Sequence, residues 1–283
     1  MTLGILLGLS SGLCWGTADF FGGMQSRRLP ALAVALWSQI AGGLALLLVL
    51  LLSGAQPTLV SIGWGIVAGL FGGTALVLFY RGLAEGVMSV VAPISACGAI
   101  VPVLASIATG EVPNLLTGIG IVAAVVGIVL VSRQSGGALN NPQAQRTSVL
   151  LALGAALGFG FFFVFLDRGS NALGSSPLWV TGGARIGSLT VLLGMSLGNR
   201  RAFIWPGARI WPLTAIGIGD TAANVLFAYA STAGNLGVVS VLGSLYPVVT
   251  VLLGRLLLAE RLEPPQYIGV GLALSGVALL AGG

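Results

Sequence analysis

The chain has no lysine, no histidine and only two cysteines, and charged residues make up just 7% of its 283 positions. Without histidine or a cysteine cluster there is no readable metal site, and neither metal nor cofactor is expected. Cys14 and Cys97 lie far apart inside apolar runs, so they form no disulfide framework and read as small apolar fillers. A soluble globular chain carries about 25% charged residues. Twelve basic and seven acidic residues cannot coat a soluble domain of this length. That scarcity excludes an ordinary soluble enzyme, a disordered chain and a nucleic-acid binder. Phosphate loops, nucleotide fingerprints and catalytic triads are also missing, because the glycine pairs sit inside apolar runs and not after strands. No catalytic residue is assigned, and the chain is not expected to be an enzyme.

What is present is apolar residues, at 56%, with 45 glycines and a mean hydropathy of +1.04. This is the composition of a polytopic helical membrane protein. A helix needs roughly 20 apolar residues to cross about 30 Å of hydrocarbon. Ten such runs can be read, at 3–24, 30–53, 59–80, 87–109, 114–132, 148–166, 177–198, 209–230, 237–258 and 266–282. Turn and charge signals break them, such as Gln25-Ser26-Arg27-Arg28, Gly54-Ala55-Gln56-Pro57 and Glu263-Pro264-Pro265. Most connections are short, so successive spans are antiparallel neighbours. The one long linker, Arg133 to Thr147, has five spans on each side of it. The apolar run starts at Leu3, ahead of the first arginines, which is the wrong order for a cleavable signal and suits a first span with its N-terminus outside.

Orientation follows from arginine. Arg27, Arg28, Arg81, Arg133, Arg146, Arg200, Arg201, Arg209 and Arg261 fall on one side of the membrane, and Arg168 alone on the other. The basic side is expected in the cytoplasm, which puts both termini of this multi-pass inner-membrane protein on the periplasmic side. The net charge of +5 then reports orientation and implies no anionic partner.

A shift of 149 residues aligns 80–131 with 229–280 without a gap and matches Tyr80 with Tyr229, Ala84 with Ala233, Ser95 with Ser244, Glu111 with Glu260, Gly120 with Gly269 and Gly127 with Gly276. A five-span repeat enters the membrane from opposite sides in its two copies. The halves are then related by an axis in the membrane plane, with a site between them at mid-depth. Leu13-Cys14-Trp15-Gly16, Phe79-Tyr80-Arg81-Gly82-Leu83-Ala84, and Ser244-Leu245-Tyr246-Pro247 through Ala259-Glu260-Arg261-Leu262 resemble the tandem EamA domains of the drug/metabolite transporter superfamily. The resemblance covers both halves. It implies an all-α integral membrane protein of ten transmembrane helices in two inverted five-helix repeats, at 1–134 and 148–283, joined by a linker at 135–147. It also implies carriage of small metabolites, often the export of amino acids. Many relatives keep their termini in the cytoplasm, whereas the arginines here point the other way.

Gly4, Gly8, Gly12 and Gly16 form one stripe on span 1, suited to close helix packing or to a sliding surface. Asp220 lies mid-span with Asn224 one turn later. A carboxylate there costs about 2.5–3.5 kcal/mol on an insertion scale, so it faces a cavity or a partner. Two readings stand side by side: substrate-amine or proton binding, and a static pair with Arg185 of span 7. The resemblance places an arginine in that span. Ser38 or Gln39 occupies the equivalent place in span 2. Asp19 is expected to snorkel to headgroups or to pair with Arg27 or Arg28. Arg81 and Glu85 are spaced for an interfacial ion pair, and Glu111 and Glu260, at matching exits of spans 4 and 9, suit capping or loop pairing. The central-cavity candidates are Trp15, Tyr80, Ser95, Phe159, Phe163, Asp220, Asn224, Ser244 and Tyr246, with Arg185 as charge partner. Such an aromatic wall with a few hydroxyls suits an amphipathic small molecule. Tyr229 is shared between that wall and the interfacial aromatic belt, to which Trp64, Trp179, Trp205 and Trp211 belong. Pro93, Pro102 and Pro247 interrupt spans 4 and 9.

These features describe a secondary transporter of small organic metabolites working by alternating access, with amino-acid export, aromatic ones included, as the leading expectation. Import of a sugar or other solute is the alternative within that class. An intramembrane lipid-modifying enzyme lacks the clustered Asp, His or Lys it would need, and a pore or scaffold is the third class. Its partners are a small-molecule substrate and the lipid bilayer, with no nucleic acid; a monomer is consistent with the reading.

Overall fold

A computed structural model describes residues 2–85, 91, 94–132, 142–198, 200–258 and 262–282. The longer elements among them are all α-helices: α1 (Thr2–Ser26), α2 (Ala31–Ser53), α3 (Leu59–Glu85), α4 (Ile100–Ala108), α5 (Leu115–Ser132), α6 (Pro142–Ser170), α7 (Pro177–Leu197), α8 (Ile210–Ala233), α9 (Leu236–Gly243), α10 (Tyr246–Leu257) and α11 (Pro264–Gly282). No strand occurs among the described residues. A 3-10 turn, Cys97–Ala99, leads into α4. Gly54 closes α2 in the left-handed region, at φ 65°, a backbone shape that a glycine adopts without a Cβ clash.

Among the described residues, eight stretches are long and apolar enough to cross a membrane, and Ile94–Ala108 and Pro264–Leu280 are shorter apolar helices. The count by length is therefore eight plus two short helices, where ten full runs were expected. The start of expected span 4 (87–90, 92 and Pro93), Arg133 with most of the linker, and Glu260 and Arg261 lie outside the described residues, as do the side chains of Tyr80 and Glu85. Large apolar side chains are exposed in bands, with Leu44, Leu48, Leu51 and Leu52 on α2 and Leu115, Ile119 and Val122 on α5. Apolar surface on this scale marks a lipid-facing protein.

Lipid supplies no hydrophobic drive between helices, so glycine does the packing by letting backbones touch. α5 and α11 run antiparallel along such a seam. A β-carbon on Gly127 would sit 2.7 Å from the Gly269 carbonyl oxygen, and one on Gly269 would sit 2.8 Å from the Gly127 oxygen. Gly120 and Gly276 meet in the same reciprocal way. The glycine stripe of α1 lies against the second half. Gly4 faces Gly234, Gly12 lies against the Leu242 carbonyl, and Gly16 lies against the Tyr246 carbonyl. On the other side, Gly160 of α6 fits against the Gly98 carbonyl. α1 packs on α8, and α3 on α6; α2 packs on α8, and α3 on α7. α9 also packs on α4. Span 9 divides into α9 and α10 at Ser244–Leu245, with Pro247 in the first turn of α10, and Pro102 lies within α4.

Candidate functional site

The two interrupted segments meet, α9 reaching both α4 and the Cys97–Ala99 turn. Beside them Trp15 of α1, Phe163 of α6 and Phe227 of α8 form one aromatic group. Trp15 is 5.5 Å from Phe163 and 5.9 Å from Phe227, and the two phenylalanines stack at 4.6 Å. Trp15 packs closely over Gly243, where a β-carbon would lie 3.2 Å from its ring. All three rings are buried, so they form a packed wall. Phe159 is half-buried and meets the edge of Phe79 at 6.2 Å. Ser95 and Ser244 are each 2% exposed, and the Ser95 Oγ has no hydrogen-bond partner. Tyr246 is half-buried at the start of α10, and its backbone carbonyl accepts from Thr250 Oγ1 at 2.9 Å.

Arg185, almost completely buried on α7, holds a polar network inside the apolar bundle. Its Nη1 donates to Asp220 Oδ2 at 2.9 Å and to the side-chain oxygen of Gln39, and its Nη2 donates to Thr221 Oγ1 at 2.8 Å. Gln39 Nε2 donates to the same Asp220 oxygen at 3.0 Å, and Ser188 Oγ donates to Gln39 at 3.2 Å. Asn224 does not reach the carboxylate: its amide turns back to the Asp220 backbone carbonyl at 2.6 Å. The network explains how two opposite charges persist at this depth, since each has a partner and polar neighbours.

The sequence profile of the EamA-like transporter family matches residues 2–133 and again 146–282. The chain belongs to the EamA-like transporter family. It is therefore a multi-pass membrane transporter of small solutes. A solved crystal structure, 20% identical in sequence, superposes with a TM-score of 0.80 over 98% of this chain and 95% of that one, which shows a shared fold. No curated protein matches the chain in sequence.

In this EamA chain the first and second matched stretches are also tied at one end of the bundle. Ser106 Oγ and Asn235 Nδ2 both donate to Glu111 Oε2, at 2.7 and 2.8 Å. Asn235 meanwhile caps α9, accepting from the Val238 amide at 3.2 Å. The contact of Gly4 with Gly234 lies at this same end.

Asp19 is exposed on α1, as expected for a carboxylate that snorkels to headgroups, and about 12 Å of helix separates it from Arg27. Phe227, Thr221 and Ser188 were not singled out by sequence. Only Gln39 carried a signal, as the counterpart of Arg185 in the first half. Trp179 Nε1 donates to the Ala55 carbonyl at 2.8 Å, and Trp205, Trp211 and Tyr229 are exposed.

Proposed function

We propose that this transporter moves small organic metabolites across the inner membrane by alternating access, and that it exports amino acids, aromatic ones included. The observation that carries the reading is the meeting of two interrupted segments, one from each half, beside the wall of Trp15, Phe163 and Phe227. Interrupted helices at mid-depth are a recurrent way to build a transporter site, and aromatic walls suit small amphipathic molecules. On this reading Trp15, Phe159, Phe163, Ser95, Ser244 and Tyr246 line or border the substrate path, and the Arg185–Asp220 pair stands next to it.

The reading includes ten crossings in two inverted halves with both termini outside. Three features support it. α5 and α11 meet antiparallel through matched glycines. The packing of α3 on α6 and α7 has its counterpart in that of α8 on α1 and α2. Gly16 against Tyr246 has its counterpart in Gly160 against Gly98. Import of a sugar or other solute is the runner-up within the carrier class. The test is counterflow into vesicles reconstituted with the purified chain, preloaded with tryptophan, leucine or glucose. Saturable accumulation of radiolabelled tryptophan, competed by unlabelled amino acids and not by glucose, is the expected result. Accumulation of glucose alone would favour the importer, and none with any solute would argue against a carrier.

A further inference from the structure

We propose that the end of the bundle built by the α1–α2 turn and the α7–α8 connection is a docking surface for an anionic diacyl phospholipid. Arg28 and Arg209 hold its phosphate, and its glycerol and upper acyl chains lie against Trp205 and Trp211. This goes beyond the carrier reading and does not depend on which solute is moved.

The α7–α8 connection is a fixed platform. Two 3-10 turns, Arg200–Phe203 and Gly207–Arg209, fill most of it. Gly207, at φ 59°, supplies the left-handed residue between them. Ala202 is fully buried in a cluster with Ala35 and Leu36 of α2 and Leu192 of α7. Trp37 of α2 donates its indole N–H to the Ile204 carbonyl at 3.0 Å and meets the Trp205 ring edge-on at 5.1 Å. Anchored in this way, the connection turns apolar and basic side chains outward. Phe203 and Ile204 are exposed, Trp205 and Trp211 are 64% and 77% exposed, and Arg209 is exposed with them. Tryptophan in such a setting lies at the level of lipid headgroups.

The α1–α2 turn stands beside this platform. Leu29 and Trp37 pack on a cluster that joins Val34 of α2 to Leu213 and Ile216 of α8. Leu29 follows Arg28 directly, and Leu213 comes one turn after Arg209, so both arginines flank the same cluster, and both are exposed. Neither connection contains an acidic residue: the sequence has no Asp or Glu from Phe20 to Ala84 or from Arg168 to Gly219. The positive charge of this surface is therefore not balanced from within the two connections. A guanidinium meets a phosphate through paired N–H donors, and basic pockets between membrane helices suit anionic headgroups. Trp37 has used its indole N–H, whereas those of Trp205 and Trp211 make no hydrogen bond among the described residues and can meet an ester or phosphate oxygen. The opposite end shows the contrast. There Trp179 gives its N–H to the Ala55 carbonyl, Trp64 stacks on Phe165, and Arg168 directly follows Asp167. That end has the aromatic belt without the basic cluster.

The experiment reconstitutes the full chain in bilayers of equal parts phosphatidylglycerol and phosphatidylcholine, with bromine on the acyl chains of one lipid or of the other. The bilayer is otherwise identical, so tryptophan quenching compares which lipid touches the protein. Brominated phosphatidylglycerol is expected to quench roughly twofold more than brominated phosphatidylcholine. The excess should vanish in Trp205→Phe with Trp211→Phe, and in Arg28→Gln with Arg209→Gln, and should persist in Arg168→Gln. Equal quenching by the two lipids in the wild type overturns the proposal with no variant needed. So does an excess that survives loss of both tryptophans or of both arginines. An excess that falls as far in Arg168→Gln is the general attraction of a basic chain to an anionic bilayer, and also overturns it. An excess erased by inorganic phosphate at constant ionic strength assigns the arginines to a soluble anion and overturns the lipid. Counterflow on the same vesicles keeps the two readings apart. Solute exchange without excess quenching leaves the carrier standing and removes the lipid surface, whereas excess quenching without exchange does the reverse.

Discussion

Arg185 and Asp220 hold each other inside the bundle, with Gln39 and Thr221 beside them. Removing one partner of a buried pair strands the other, which in soluble proteins costs about 3–5 kcal/mol. Asp220→Asn is therefore expected to lower thermal stability strongly, and Asp220→Asn with Arg185→Gln should recover most of the loss. Thermal unfolding of the four-member set in detergent measures this, and an additive double variant would show that the pair is not coupled. Trp15 is governed by packing instead. Trp15→Ala opens a hole over Gly243 and between two phenylalanines, and large-to-small changes at such sites cost about 3–5 kcal/mol. The same unfolding assay should place it well below Phe161→Ala, because Phe161 is exposed on α6.

Helices meet here through glycine seams and one polar tie, and the two respond differently to substitution. A leucine at Gly127 would push directly into the backbone of α11. Overpacking typically costs about 1–3 kcal/mol, so Gly127→Leu should reduce the folded yield and lower the unfolding temperature, while Gly118→Leu, which meets nothing nearby, should be neutral. The Glu111–Asn235 tie joins α9 to the segment following α4. Asn235→Ala removes the tie and the cap together; cap loss alone costs about 0.5–2 kcal/mol. Glu111→Gln keeps the cap and weakens only the tie. If the tie closes that end of the bundle, a single cysteine replacing Ser231, 5% exposed near the end of α8, should react faster with a water-soluble maleimide in Glu111→Gln. An unchanged labelling rate would assign Glu111 to helix-end stability alone.

For the whole molecule, the arginine asymmetry predicts that both ends face the periplasm. A periplasm-active phosphatase fused after Gly283 should be active and a fluorescent protein that matures only in the cytoplasm dark; the reverse pattern rejects this orientation. Much of the architecture was readable before any coordinates, because the apolar runs, the turn residues between them and the glycine matches are sequence features. Gly120, Gly127, Gly269 and Gly276, matched by the 149-residue shift, are the residues that meet between α5 and α11. Arg185 was named as a partner for Asp220 because two charges in adjacent apolar runs have few alternatives. Phe227 was not legible. In a helix that is apolar on every side, periodicity does not distinguish the face against protein from the face against lipid.

The seam between α5 and α11 has one more consequence. Gly120 meets Gly276 and Gly127 meets Gly269, while Gly120 corresponds to Gly269 and Gly127 to Gly276, so each half presents the same surface that it receives. A contact with that property is self-complementary. It does not need two unlike partners, only two copies in opposite orientations.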